Sequence, residues 1–251
     1  MPSRIRSFCE IAVVIAALSA AACGGSAPER PAANARPDGP GVITGRISFD
    51  GVPPQRAPLR MAADPGCKPG PESLSEATIV GPDMGLKNVF VYVKDGLGNR
   101  IYETPSTPIV LDQVGCRYEP HVFGVHVGQP VEIRNSDPTL HNVHAIPKTN
   151  DEFNFGQQPS SPPFVRMFET PEIGVSFQCD VHGWMRAYAN VVTHPFYAVT
   201  NDDGTFEIKG LPPGTYTIEA WHERLGTQSQ QVTIADGSPN VTAAFSFKAA
   251  A

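Results

Sequence analysis

The stretch VSFQCDVHGWMRAYANVV, residues 175–192, places a cysteine, a histidine and a methionine at regular intervals between two apolar runs. Runs of this kind are typical of β-strands, so the spacing Cys179-x-x-His182-x-x-Met185 falls on a short loop between two strands. The chain has 7 His and 5 Met among 251 residues. A given cysteine therefore acquires these two partners by chance about once in two thousand. The loop is a candidate metal site.

Thiolate, imidazole and thioether form the ligand set that suits copper, with methionine as a weak axial ligand, whereas hard cations prefer carboxylates. A second imidazole is needed to complete the trigonal plane, and it must come from another strand. The stretch NSDPTLHNVH, residues 135–144, supplies His141. His144 lies three residues further on and should face the other side of the strand, in a structural role or, as the alternative, a supporting one. A zinc or other adventitious metal site, and a site that has lost its metal, are the competing interpretations.

These two motifs resemble those of the type I (blue) copper proteins of the cupredoxin superfamily, and most closely those of the amicyanins, with plastocyanin having a longer ligand loop. The likeness covers residues 108–192. The resemblance implies a Greek-key β-sandwich with one copper ion, equatorial nitrogens from His141 and His182, a thiolate from Cys179 and an axial sulfur from Met185. It also implies that Asn142 holds the ligand loop through hydrogen bonds.

The stretch FYAVTNDDGTFEIKGLPPGTYTIEAWH, residues 196–222, has an Asp-Gly turn between alternating strands and predicts a hairpin. It resembles the carboxypeptidase regulatory-like (transthyretin-like) β-sandwich. The strands that normally open such a domain are absent just before residue 196. Their counterparts occur far upstream, as VITGRISFDGVPP at residues 42–54 and LKNVFVYV at residues 86–93.

The chain is therefore predicted to be all-β, with 26 Pro and 23 Gly separating short strands. We expect a cupredoxin domain at 106–193 inserted into a discontinuous regulatory-like sandwich built from 41–105 and 194–248. The alternative is two consecutive domains, with 41–105 supplying extra cupredoxin strands.

The first residues have the pattern of an export signal. Two arginines precede an apolar run at 11–18, and small residues lead to Cys23. Residues 1–23 are predicted to be a signal of the lipoprotein type, with simple cleavage and release as the alternative. Residues 24–40 are predicted to be a flexible linker. The expected location is the periplasm or the outer face of a membrane, with a lipid on Cys23 as the anchor.

Cysteine pairing follows from this location, because thiols outside the cytoplasm tend to be oxidised. The chain has 5 Cys, of which Cys9 and Cys23 fall in the export segment. Of the remaining three, Cys67 and Cys116 occupy plausible positions for a disulfide. Cys179 is then the odd thiol, as a metal ligand should be.

Composition and motifs exclude several function classes. The net charge of -6, with 19 Lys+Arg spread thinly, argues against a nucleic-acid partner. Neither Gly-x-Ser-x-Gly nor His-Glu-x-x-His occurs in the sequence, so these two hydrolase signatures are missing. Copper enzymes need further histidine clusters. The unassigned histidines are expected to be packing or surface residues, namely His121, His126, His194 and His222.

The sequence thus predicts an outer-sphere electron carrier rather than an enzyme. Its expected partner is another exported redox protein, a dehydrogenase or a cytochrome. Two alternatives come from other classes: a binding or scaffold module that docks carbohydrate or protein, and a copper storage or delivery protein.

Overall fold

The computed structural model describes residues 39–70 and 73–249, and in this part of the chain every regular element except two short 3-10 helices is a β-strand. The prediction of an all-β chain is confirmed. The predicted signal segment, Cys23 and the linker up to residue 38 lie outside the described residues. Among the described residues, no helix is long and apolar enough to cross a membrane.

One β-sandwich, called here the flanking sandwich, combines a sheet of strand order β13-β1-β16 with a sheet of order β12-β2-β14-β15. Its strands are β1 (Gly41–Asp50), β2 (Phe90–Asp95), β12 (Tyr197–Val199), β13 (Thr205–Leu211), β14 (Gly214–His222), β15 (Gly226–Ile234) and β16 (Asn240–Lys248). Strand β1 is central in its sheet: it pairs antiparallel with β13 and parallel with β16. The side chains alternate along β13 and β16, so that one face of each strand is buried.

A second sandwich, called here the ligand sandwich, combines sheets of strand order β5-β11-β10-β7-β8 and β4-β3-β6-β9. Its strands are β3 (Ile109–Val114), β4 (Arg117–Glu119), β5 (Val122–His126), β6 (Val131–Asn135), β7 (His141–Ile146), β8 (Phe153–Gln157), β9 (Phe164–Arg166), β10 (Glu172–Gln178) and β11 (Arg186–Val192). All of these strands lie between β2 and β12 in the sequence.

The flanking sandwich is therefore built from chain segments on both sides of the ligand sandwich. Ile47 of β1 lies opposite Phe245 of β16, and Tyr92 of β2 lies opposite both Tyr197 and Glu219. This is the pairing expected of an inserted domain. The exact domain boundaries stay a prediction.

Each sandwich has its own apolar core, and a smaller cluster joins the two. The flanking core includes Ile43, Ile47 and Ile218, all with no exposed surface. The ligand-sandwich core contains Cys179 and Met185 among its buried members. Because both candidate sulfur ligands belong to this core, the packing that stabilises the sandwich also fixes where they lie.

The long connection between β1 and β2 reaches the ligand sandwich through residues 59–67, called here the cap segment. It contains a 3-10 helix, Met61–Ala63, and ends at Cys67, which forms a disulfide with Cys116 in the turn between β3 and β4. Met61 and the two cysteines form a buried cluster against which Trp184 packs. The disulfide is the pairing that the cysteine count predicts, and it attaches the cap segment beside the Cys179 loop.

Candidate metal centre

Two adjacent strands and one loop bring the predicted ligands together. His141 is the first residue of β7, and Cys179 follows directly after β10. These strands pair antiparallel, with Gln178 opposite His144, so the ends that carry His141 and Cys179 lie side by side. His182 and Met185 follow on the loop that leads into β11, and the Met185 N–H donates to the His182 carbonyl at 2.9 Å.

The two imidazoles and the thiol converge on one point inside the protein. The Nδ1 atoms of His141 and His182 are 2.9 Å apart, and the Cys179 Sγ lies 3.8 Å from the His182 Nδ1. Relative exposure is 0% for His141, 1% for Cys179, 3% for His182 and 1% for Met185. The arrangement is a closed cluster of nitrogen and sulfur donors with almost no solvent access.

A carboxylate lies on the far nitrogen of each imidazole. The Nε2 of His141 is 2.8 Å from Asp137 Oδ2, and the Nε2 of His182 is 2.8 Å from Asp64 Oδ2. A carboxylate can only accept, so each Nε2 carries the proton and each Nδ1 is left with a free lone pair when the ring is neutral. Such partners fix the tautomer and the orientation of a metal-binding imidazole.

The charges around the site favour a cation at its centre. Burial alone would lower the pKa of His141, but the hydrogen bond to Asp137 and the Cys179 thiolate raise it to about 9. Burial would raise the pKa of Cys179, but His141 and the backbone N–H groups of Asn142 and His182 lower it below its ordinary value. The site thus stabilises a thiolate together with a positive charge.

These donors fit copper. With no cation at the centre, the Nδ1 lone pairs of His141 and His182 and the Cys179 thiolate would repel one another, unless His141 is protonated at Nδ1. Two imidazoles and a thiolate, with the thioether of the buried Met185 as the fourth candidate, are the set that accommodates both copper oxidation states, whereas Ca²⁺ and Mg²⁺ take oxygen ligands. The two carboxylates at this site, those of Asp137 and Asp64, accept hydrogen bonds from the imidazoles.

Asn142 joins the two ligand-bearing segments. Its backbone N–H points at the Cys179 Sγ at 3.3 Å, and its side-chain Oδ1 accepts from the Asp180 N–H at 3.0 Å. The His182 N–H also points at the Cys179 Sγ, at 3.3 Å. These bonds hold the sulfur in place from both sides.

The other histidines lie away from this point. His144 is half-buried, with its ring between Glu152 Oε1 at 2.7 Å and the Asp180 carboxylate at 3.2 Å. The remaining four are buried rather than exposed: His121, His126, His194 and His222. His121 Nε2 forms an ion pair across 2.5 Å with Glu223 Oε1, whose side chain is 7% exposed.

Sequence reasoning missed the two carboxylates. Asp137 lies four residues before His141 in the predicted turn, and this spacing was the available signal. Asp64 is 118 residues from His182, and only its place three residues before the disulfide cysteine Cys67 hinted at the contact. Trp184 packs against His182 with the two rings tilted by 39° and their centroids 5.0 Å apart.

Comparison with known proteins supports the flanking sandwich. Residues 186–247 match the family model of the carboxypeptidase regulatory-like domain. The predicted resemblance to this domain is confirmed over that segment, which covers β12–β15 and most of β16 but begins earlier than predicted, at β11 of the ligand sandwich. No curated protein matches the chain in sequence.

Among solved structures, copper proteins share limited similarity with the chain. The copper-containing nitrite reductase of Thermus scotoductus SA-01 is 21% identical at a TM-score of 0.32, over 36% of this chain and 23% of the reductase. The chain thus spans about a quarter of that enzyme's length. Amicyanin from Paracoccus versutus is 20% identical at 0.31, over 36% of this chain and 86% of amicyanin. The purple cupredoxin of Nitrosopumilus maritimus is 21% identical at a TM-score of 0.29, over 34% of this chain and 99% of the cupredoxin. Scores this low do not establish a shared fold, and the assignment of the site rests on its own geometry.

Proposed function

We propose that this protein carries single electrons on one copper ion held by His141, Cys179, His182 and Met185. The observation that supports this most directly is the pair of facing Nδ1 atoms, 2.9 Å apart, with each Nε2 bonded to its own carboxylate. Copper bound there would supply a one-electron couple between its two oxidation states. The residues around it have two tasks, which are to hold the ligands still and to exclude water.

The hydrogen bonds perform the first task. Both imidazoles are oriented by carboxylates, and the thiolate accepts from the Asn142 and His182 N–H groups. Because these contacts hold the ligands in place, little has to move when the charge at the centre changes by one. An electron carrier benefits from this pre-organisation, since reorganisation of the ligands slows electron exchange.

Burial performs the second task and helps to separate the candidate functions. All four proposed ligands are at most 3% exposed. A copper enzyme needs an open position for its substrate, and a delivery protein needs ligands that a partner can replace. Enclosed ligands favour outer-sphere electron exchange over both.

The experiment is repeated reduction and oxidation of the copper-loaded protein in the presence of a Cu(I) chelator. We expect reversible one-electron cycling with the copper retained. Loss of copper to the chelator at the first reduction would instead support copper delivery. A protein that binds no copper, or binds it without cycling, would favour the scaffold alternative.

We further propose that the partner is an exported dehydrogenase or cytochrome, and that Cys23 anchors the chain outside the cytoplasm. The Cys67–Cys116 disulfide supports an oxidising compartment, since such bonds are rare in the cytosol. Palmitate labelling of the expressed protein tests the anchor, with Cys23→Ala as the control. Labelling that survives this substitution would contradict it.

A further inference from the structure

We propose that Asp64 is a positioning residue for His182 and that the Cys67–Cys116 disulfide keeps it in place. This inference rests on the proposed copper site. It goes beyond that site because Asp64 belongs to the cap segment, which comes from the connection between β1 and β2 and not from a strand of the ligand sandwich.

The Asp64 carboxylate is fixed from three sides. Its Oδ1 accepts from the Gly66 N–H at 2.7 Å, and its Oδ2 accepts from the Thr139 hydroxyl at 2.9 Å and from His182 Nε2 at 2.8 Å. The backbone of Asp64 is also tied down, because its N–H donates to Met61 and its carbonyl accepts from the Cys67 N–H. A side chain held in this way determines where the imidazole it contacts can point.

The disulfide attaches this arrangement to the ligand sandwich. Cys67 Sγ lies 3.8 Å from the His182 Nε2, and the Trp184 Nε1–H donates to the Cys116 carbonyl at 3.0 Å. The outer edge of the His182 ring is thus covered by Asp64, the disulfide and Trp184, which leaves the residue 3% exposed. The cap segment closes an imidazole edge that the Cys179 loop alone does not cover.

The chemical consequence concerns the balance between the two copper states. A carboxylate on Nε2–H makes the imidazole a stronger donor, and a nearby negative charge favours the more highly charged ion. Asp64 should therefore stabilise Cu(II) more than Cu(I). Loss of a partner of this kind typically weakens metal binding about 10- to 100-fold.

The test compares Asp64→Asn with Asp151→Asn, a matched loss of one negative charge at an exposed residue on the loop before β8. Competition titrations should show that the first variant binds Cu(II) about 10- to 100-fold more weakly, with a smaller change for Cu(I). Each tenfold difference between the two affinities raises the reduction potential by about 59 mV. The control should match the wild type in both affinities.

A second readout reports on the contact itself. In the diamagnetic Cu(I) protein, NMR should show that the His182 Nε2–H exchanges faster with water in Asp64→Asn, while the His141 Nε2–H, bonded to Asp137, is unchanged. Thr139→Val removes one bond to the Asp64 carboxylate and should shift both readouts in the same direction by less. If Asp64→Asn does not fold, Thr139→Val tests the positioning role of Asp64 in its place.

The possible results distinguish a failure of the Asp64 positioning role from a failure of the proposed electron-carrier function. If the wild type cycles reversibly while Asp64→Asn matches Asp151→Asn in affinities and exchange, the positioning role is wrong and the electron carrier stands. Equal weakening of Cu(II) and Cu(I) binding would also overturn it, because a merely structural defect has that effect. If the wild type binds no copper, both proposals fall together.

Discussion

Removing the Cys67–Cys116 disulfide should destabilise the cap segment and the sandwich it is attached to. The bond joins residues 49 apart in sequence, and closing a loop of that length lowers the entropy of the unfolded chain enough to stabilise the fold by about 4 kcal/mol at 25 °C. Replacing both cysteines by serine avoids leaving a reactive thiol. We expect the free energy of unfolding of the metal-free double variant to fall by about that amount.

Urea titration followed by tryptophan fluorescence measures this change. Trp184 packs on the disulfide cluster, and the second tryptophan, Trp221, lies in the flanking sandwich. Trp221→Phe in both backgrounds leaves Trp184 as the reporter. A loss below about 1 kcal/mol with an unchanged slope would refute the reasoning, because other contacts would then hold the cap segment without the bond.

Three further predictions concern single side chains. His141→Gly should lose the copper-thiolate band and regain it with external imidazole, whereas His144→Ala should keep it; the reverse result would mean that the wrong histidine has been chosen. Met185→Leu should retain both copper and the band while raising the reduction potential, and loss of copper would show that the sulfur is more than a weak axial ligand. Burial lowers the pKa of His194 to about 4, so the unfolded chain takes up this proton first as the pH falls below about 6.5. His194 should therefore contribute up to about 3 kcal/mol to the stability that the metal-free protein loses between these two pH values, and a pH series of urea titrations on His194→Gln should show a loss smaller by about that amount.

The features that sequence predicted well are local. The Cys179-x-x-His182-x-x-Met185 spacing needs only one loop, and the alternation of apolar residues along β13 and β14 needs only one hairpin. The candidate His141 was likewise predicted from a short motif, residues 135–144, and the structure places it at the start of β7. Residue type and spacing carry this information without knowledge of the three-dimensional contacts.

The features that it missed depend on long-range contacts. Asp64 contacts His182 from a segment 118 residues away that a disulfide attaches beside the site, and His121 contacts Glu223 across the boundary between the two sandwiches. From its neighbours in sequence, His121 could only be predicted to be a packing or surface residue. The parallel pairing of β1 with β16 is equally non-local, since no turn links the two strands.

The visible absorption spectrum of the Cu(II)-loaded protein, recorded beside that of Cys179→Ser, tests the central claim most directly. A bond between the buried Cys179 thiolate and copper predicts an intense visible band in the wild type and none in the variant. A wild-type protein that binds copper without this band, or a variant that keeps it, would contradict the proposed site.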